Sequence, residues 1–327
     1  MNDQMKMRAD YFRLMNMNGA SHVYRESVRL GLLDSITENP RTVADIAVSC
    51  GTLEGPTALL LDVLDTLGIV QSTDQVFSLT PLAGMLISGG YRELGDLYWS
   101  HLPDFLKTGK PMAAMDSVTH SEEHYQKQAA ALGWMLAPAA EAAAQHLRPR
   151  DSSSSMSIID IGAGSAIWSL TIARQDSEST VTAVDWPAVL QIAEATARQF
   201  GMDNRLITCP GNYHEVELPA DSYDLAILGN VTHLEPPEGN RSLFEKVRVS
   251  LKNSGHIVIM DIFPGQSEGD INRTLYSLGL ALRTEMGHVY SPRSLDTLLN
   301  DTGYAAATLI NLDVPPYAVG MLVAQKR

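Results

Sequence analysis

Apolar positions change their spacing several times along these 327 residues. Over residues 11–36 they fall at helical intervals, with Leu14, Met17, Val28, Leu32 and Leu33 available for one stripe. Residues 41–47 read as a short helix opened by Thr42, and 57–67 as a third helix that stops at Gly68. Two short runs, 69–71 and 76–79, read as strands joined by a turn through Asp74. Helix, turn, helix and hairpin in this order is the plan of a winged helix.

Helical character continues through 91–147, where aromatic and methionine side chains are scattered among alanines. They read as core, and they also suit the wall of a pocket for a flat, apolar molecule, for which Trp99, His101 and Met135 are the candidates. A polar, serine-rich stretch at 148–157 marks a domain boundary. Beyond it the pattern alternates. Apolar strand candidates at 157–160, 180–184, 205–208, 225–228 and 256–260 are separated by helical stretches such as 168–173, 187–200 and 239–251. Strands separated by helices imply parallel crossovers and a doubly wound α/β sheet covered on both faces. The expected organisation is therefore a winged-helix module over 1–90, linker and pocket helices over 91–150, and a Rossmann-like domain over 151–327.

Composition narrows the function classes. Hydrophobic residues make up 45% and charged residues 19%, enough for two cores. No apolar run of about 18 residues could span a bilayer. Residues 1–10 have no apolar signal core, so a cytoplasmic protein is expected. The net charge of −14 argues against nucleic acid as a partner. The third helix of the winged module lacks Lys and Arg and carries Asp62 and Asp65, so it would repel phosphate. Its Leu-rich face suits packing against a partner subunit. Cys50 and Cys209 lie far apart, which leaves no disulfide framework and no clustered metal ligands.

The first strand of the α/β region runs directly into Asp160-Ile161-Gly162-Ala163-Gly164-Ser165-Ala166 before a helix. Glycines let the backbone turn sharply and let a ligand approach the main chain at a helix N-terminus. The pyrophosphate fingerprint wants a further glycine where Ala166 and Ile167 stand, and Asp160 would repel phosphate. An acid there suits a ligand with an amino group, such as the aminocarboxypropyl arm of S-adenosylmethionine. Asp185, ending the second strand, can accept hydrogen bonds from both hydroxyls of a ribose. Gly211-Asn212-Tyr213 follows the third strand, where an amide can meet the adenine amino group and an aromatic ring can cover the base.

With these three elements at three successive strand ends, the whole chain resembles the plant and bacterial class I O-methyltransferases, in which an N-terminal winged-helix module forms a dimer and a C-terminal domain binds S-adenosylmethionine. The resemblance implies that Gly162, Gly164, Asp185 and Asn212 hold the cofactor, with Asn212 replacing a more usual aspartate. Asp160, Trp186, Gly211, Tyr213 and Asn230 complete the candidate cofactor contacts. It also places a catalytic histidine at His233, within Leu228-Gly229-Asn230-Val231-Thr232-His233, and a histidine can take a proton from a phenol or enol at neutral pH. The family commonly follows that histidine with an aspartate, where this chain has Leu234, and orients it with a distant glutamate, for which Glu285 is the candidate. Asp261, ending the fifth strand, reads as a structural carboxylate near the mouth of the site. The expected activity is methyl transfer to a hydroxyl of a small aromatic or polyketide-like metabolite of secondary metabolism, by a homodimer. Transfer to nitrogen or carbon is an alternative, as is a pericyclase-like relative that keeps the cofactor without transferring methyl.

Overall fold

The computed structural model describes residues 3–88, 95–112, 118–147, 155–264, 271–316 and 318–327. They form two compact units, Met1–Asp96 and Leu97–Arg327. The expected boundary at 148–157 falls largely outside the described residues, and the helices of 97–147 pack within the second unit.

In the first unit, α1 (Asp3–Arg29) begins eight residues before the apolar stripe does, because the Met, Gln, Lys, Arg and Ala of its first turns are good helix formers. It ends short of Ile36 because Gly31 takes a left-handed conformation between α1 and α2 (Leu32–Ser35). Then follow β1 (Arg41–Thr42), α3 (Val43–Cys50), α4 (Glu54–Thr66), β2 (Val70–Thr73), β3 (Val76–Leu79) and α5 (Pro81–Ser88). Thr42 caps α3 by accepting the Asp45 N–H at 3.2 Å. Asp74 and Gln75 both have positive φ, as a two-residue hairpin turn that matches strand twist requires. Leu32, Leu33, Ile46, Leu61, Leu64 and Phe77 close the core of this winged helix.

The second unit opens with α6 (Asp96–Ser100), whose first residue ends the first unit, then α7 (Leu102–Thr108) and α8 (Val118–His146). Its sheet is built from β4 (Ser157–Ile161), β5 (Thr180–Asp185), β6 (Leu206–Pro210), β7 (Tyr223–Gly229), β8 (Leu251–Ile262), β9 (Thr308–Asn311) and β10 (Val319–Gln325). Between them lie α9 (Ile167–Ala173), α10 (Pro187–Gln199), α11 (Pro237–Ser250), α12 (Ile271–Ala281) and α13 (Pro292–Asp301). The strand order is β6-β5-β4-β7-β8-β10-β9. Pairing is parallel from β6 through β8, and β10 runs antiparallel to both its neighbours. The doubly wound sheet thus has the expected strands plus an antiparallel edge.

Ile158, Ile159 and Ile161 are wholly buried because helices cover both faces of the sheet. Ile158 joins Leu170 and Ala193 in one layer, and Ile159 joins Leu243, Phe244 and Leu295 in the other. The chain winds outward from β4 to β6 and then returns to pair β7 with the free side of β4. The connections leave β4 and β7 in opposite directions, which opens a crevice at their carboxyl ends. Among the described residues, no single helix is long and apolar enough to cross a membrane.

Phe244, fully buried in α11, fills the layer behind β7 and β8. Phe244→Ala is expected to lower the stability of the second unit by about 3–5 kcal/mol, read from the midpoint of its urea unfolding transition.

Candidate active site

The turn after β4 is pinned from the neighbouring strand: the Gly162 and Ala163 N–H groups both donate to the Val184 carbonyl, at 2.9 and 3.1 Å. Gly162 has φ +63°, and a Cβ there would meet Val231 Cγ2 at 2.7 Å, so the position needs glycine on two counts. Ala166 sits in the same left-handed region at the N-cap of α9. The place where the pyrophosphate fingerprint wants glycine therefore keeps the glycine-like backbone without the residue, at some conformational cost. Gly133 on α8 is the other close approach. A Cβ on it would lie 2.4 Å from Ser165 Oγ, so its absence lets α8 settle on the loop.

Asp185 organises the second strand end. Its Oδ2 accepts from the Gly164 N–H at 2.8 Å and its Oδ1 from the Trp186 N–H at 2.7 Å, while its carbonyl accepts from Gly211 N–H at 2.9 Å. One residue thus ties together the loops after β4, β5 and β6. Burial raises its pKa to about 6, against those two N–H bonds and helped by the nearby Glu122 carboxylate. Asp160 is fully buried below the loop and accepts a hydrogen bond from Ser169 Oγ at 2.5 Å. Burial first, then the charge of Asp185, lifts it to about 7 despite Ser169.

These strand ends and one face of α8, with Tyr125, Ala129, Leu132, Gly133 and Leu136, line a single cavity that also takes in Trp186, Asn212, Tyr213 and Asn230. Asn212 holds its own turn, accepting from the His214 N–H at 3.0 Å. The Tyr213 phenol donates to Glu235 Oε1 at 2.6 Å, and His214 Nε2 stands 2.9 Å from the same oxygen. Asn230, at the end of β7, has φ +62° and donates its N–H to the Met260 carbonyl. Among the described residues, Asn230 Oδ1 on the cavity wall and Asp160 Oδ1, buried beneath the glycine turn, meet no protein donor. An ammonium group carries three donors, so this cavity fits a cationic amino acid moiety over a phosphate.

His233 lies just beyond, buried in the short 3-10 turn Thr232–Leu234. Its Nδ1 is 2.8 Å from Asp261 Oδ1. That carboxylate also accepts from the Ile262 N–H at 2.8 Å and from Thr232 Oγ1 at 2.7 Å. A carboxylate with those donors can only accept from the ring, so Nδ1 carries the proton and Nε2 keeps its lone pair. The expected orienting acid therefore changes identity. Glu285 is exposed in the turn after α12, and Asp261, which read as structural, holds the ring. Strands β7 and β8 pair in parallel with Gly229 opposite Met260, so their carboxyl ends place these two residues together.

The candidate substrate residues do not border the cavity. Trp99 packs beside Gly279 of α12, and His101 Nε2 bonds the Lys110 carbonyl at 3.0 Å. Met135 lies on the other side of α8, with Trp134, Pro138, Pro315 and Pro316 along a shallow groove. Tyr276 of α12, which carried no signal in the sequence, places its phenol oxygen 3.2 Å from His233 Nε2. No group of three or more metal-ligating side chains occurs among the described residues.

Residues 99–305 match the O-methyltransferase domain model, and residues 12–89 match the O-methyltransferase dimerisation domain model. The chain belongs to the O-methyltransferase family. It is 26% identical over 190 residues to an L-tyrosine C(3)-methyltransferase of Streptomyces lavendulae, an alignment covering 57% of this chain and 52% of that protein. It is 20% identical over 302 residues to a 3-hydroxy-5-methyl-1-naphthoate 3-O-methyltransferase of Streptomyces sahachiroi, covering 88% and 87%. Human N-acetylserotonin methyltransferase, solved in complex with S-adenosylmethionine, superposes with a TM-score of 0.70 at 19% identity, covering 100% of this chain and 98% of that one. The expected family, the S-adenosylmethionine-dependent O-methyltransferases with an N-terminal dimerisation domain, is thus the family of this methyltransferase.

The raised pKa of Asp160 has a sign that can be tested. The folded, ligand-free protein binds the proton up to about pH 7, whereas the unfolded chain releases it near pH 4. Stability is therefore lost as pH rises through that window. Asp160→Asn removes the penalty and is expected to stabilise the ligand-free methyltransferase at pH 8 by on the order of 3 kcal/mol. The gain should vanish below about pH 4, as followed by thermal melting across pH.

Proposed function

We propose that this methyltransferase transfers the methyl group of S-adenosylmethionine to a hydroxyl of a small aromatic or polyketide-like metabolite, with His233 as the general base. The observation that carries the reading is the buried His233–Asp261 pair at the carboxyl ends of β7 and β8, adjoining a cavity that fits the cofactor. When bound, S-adenosylmethionine supplies a methyl group already made electrophilic by its positive sulfur.

The chain's own residues do the rest. Asp160 and Asn230 would offer their buried oxygens to the amino group, and the main chain of Gly162 and Gly164 would admit the amino acid arm. Asp185 would accept from the ribose hydroxyls, while Asn212 and Tyr213 would border the base. Asp261 holds the His233 ring with Nε2 as acceptor and stabilises the imidazolium formed once the acceptor hydroxyl has lost its proton. Trp168 and Val231, both buried, and α8 wall the cavity off from solvent on their sides. Exclusion of water strengthens the carboxylate interactions with a cation.

Carbon methylation beside a phenol is a second reading, supported by the likeness to the tyrosine C(3)-methyltransferase. It uses the same machinery, since removing the phenolic proton activates the neighbouring ring carbon. The N-terminal unit is proposed to pair two copies: Tyr11, Phe12, Leu14 and Met15 of α1 are at least half exposed, a large apolar face for a lone helix.

Asp261→Asn should keep cofactor affinity within about twofold and lower turnover by about 10²–10⁴-fold, measured with radiolabelled S-adenosylmethionine and a panel of phenols. Unchanged turnover would remove the base assignment. Phe12→Asp should shift sedimentation from dimer to monomer, and a wild type that sediments as a monomer at micromolar concentration would contradict the pairing.

A further inference from the structure

Both ring nitrogens of His233 already have protein partners. Nδ1 faces Asp261, and Nε2, the nitrogen that must receive the acceptor's proton, faces the Tyr276 hydroxyl. The two rings stand edge to face, 5.7 Å apart at 89°. His233 is 6% exposed and its Nε2 already faces the Tyr276 hydroxyl, so that hydroxyl is the group through which an incoming hydroxyl can reach the nitrogen. The tyrosine ring is anchored, because it packs against the buried layer that includes Ile262 and Met321, at the end of β8 and on β10. That packing favours a fixed element over a gate that swings aside.

We infer that Tyr276 is a catalytic proton relay: its hydroxyl accepts the acceptor's proton while passing its own to His233 Nε2. The inference rests on the methyl-transfer reading given above. A phenol suits the role because its oxygen donates one proton and keeps two lone pairs. The step balances. The acceptor O–H bond breaks and a new O–H bond forms on Tyr276, whose original proton moves to Nε2. The acceptor oxygen, or the ring carbon that it activates, forms its bond to the methyl carbon as the bond to sulfur breaks, and S-adenosylhomocysteine leaves. In carbon methylation the ring then loses the proton of the substituted carbon to solvent. The imidazolium, held by Asp261, returns its proton to solvent, and Tyr276 ends as it began. The relay explains how a buried base with no acidic neighbour at Leu234 serves a substrate it does not touch.

The test uses the full chain, radiolabelled S-adenosylmethionine and the phenol of the panel that the wild type methylates fastest. Tyr276→Phe keeps the ring and removes the hydroxyl. The relay predicts that kcat falls about 10²-fold near neutral pH with cofactor affinity unchanged. The deficit should narrow as pH approaches about 10, where the phenol ionises unaided. A solvent proton inventory separates the relay from a purely structural side chain: both protons move together in the wild type, so kcat in mixtures of light and heavy water should fall along a curve that becomes a straight line in Tyr276→Phe. Equal or faster turnover in Tyr276→Phe, or a proton inventory that is already linear in the wild type, would overturn the relay while His233→Ala remains inactive. If His233→Ala is as active as wild type, or the wild type methylates no phenol, the reading of the site itself fails and the relay falls with it.

Discussion

The functional half of this chain depends on the desolvation of acidic side chains at the ends of parallel strands. β4 is paired on both sides and covered on both faces, so Asp160 near its carboxyl end leaves water whether or not a ligand is present, and Asp185 at the end of β5 is half-buried against the cavity. Asp160 and Asp185 are costly to ionise there, which is why they stand at about 7 and about 6. A cationic ligand reverses that cost, because attraction across a low-dielectric site is far stronger than in water. The fold thus stores a preference for positive charge next to a glycine turn that admits a ligand to the main chain.

The second constraint is parallel pairing between β7 and β8. It brings the turn after one strand beside the last residues of the other and so assembles His233, Thr232 and Asp261 from positions nearly thirty residues apart. Asn240 of α11 donates to the Thr232 carbonyl at 2.9 Å, and His288 donates its N–H to the His233 carbonyl at 2.7 Å. The base is therefore held from both sides, and its tautomer follows from the carboxylate beneath it. Cofactor site and base share one origin, the carboxyl edge of a doubly wound sheet, with each strand contributing one chemical group.

Features coded by short, local patterns were legible before the structure. The glycine turn, the acid ending β5 and the histidine after β7 each depend on a few adjacent residues, and so do the helix stops and the hairpin of the winged module. Pairwise features were not. Glu285 is a candidate only as an acid near the place of the family's distant glutamate, whereas strand pairing, with Met260 opposite Gly229, puts Asp261 beside the turn. On α8, Ala129, Leu132, Gly133 and Leu136 follow the i, i+3, i+4, i+7 spacing of one helix face, and they line the cavity. Met135 was chosen for its chemistry and lies off that face. Tyr276 reaches the base from a helix with no motif, and β9 is a four-residue run, so neither had a local signature to read.

The central claim, that two desolvated carboxylates await a cationic cofactor, is tested most directly by counting protons. Calorimetric titration of S-adenosylmethionine into the full-length protein at pH 6.5, repeated in buffers of different ionisation enthalpy, gives the protons exchanged on binding. The account predicts net release, as carboxylates that are partly protonated in the free protein ionise beside the ligand's positive charge. Net uptake, or no proton exchange in any buffer, would contradict it.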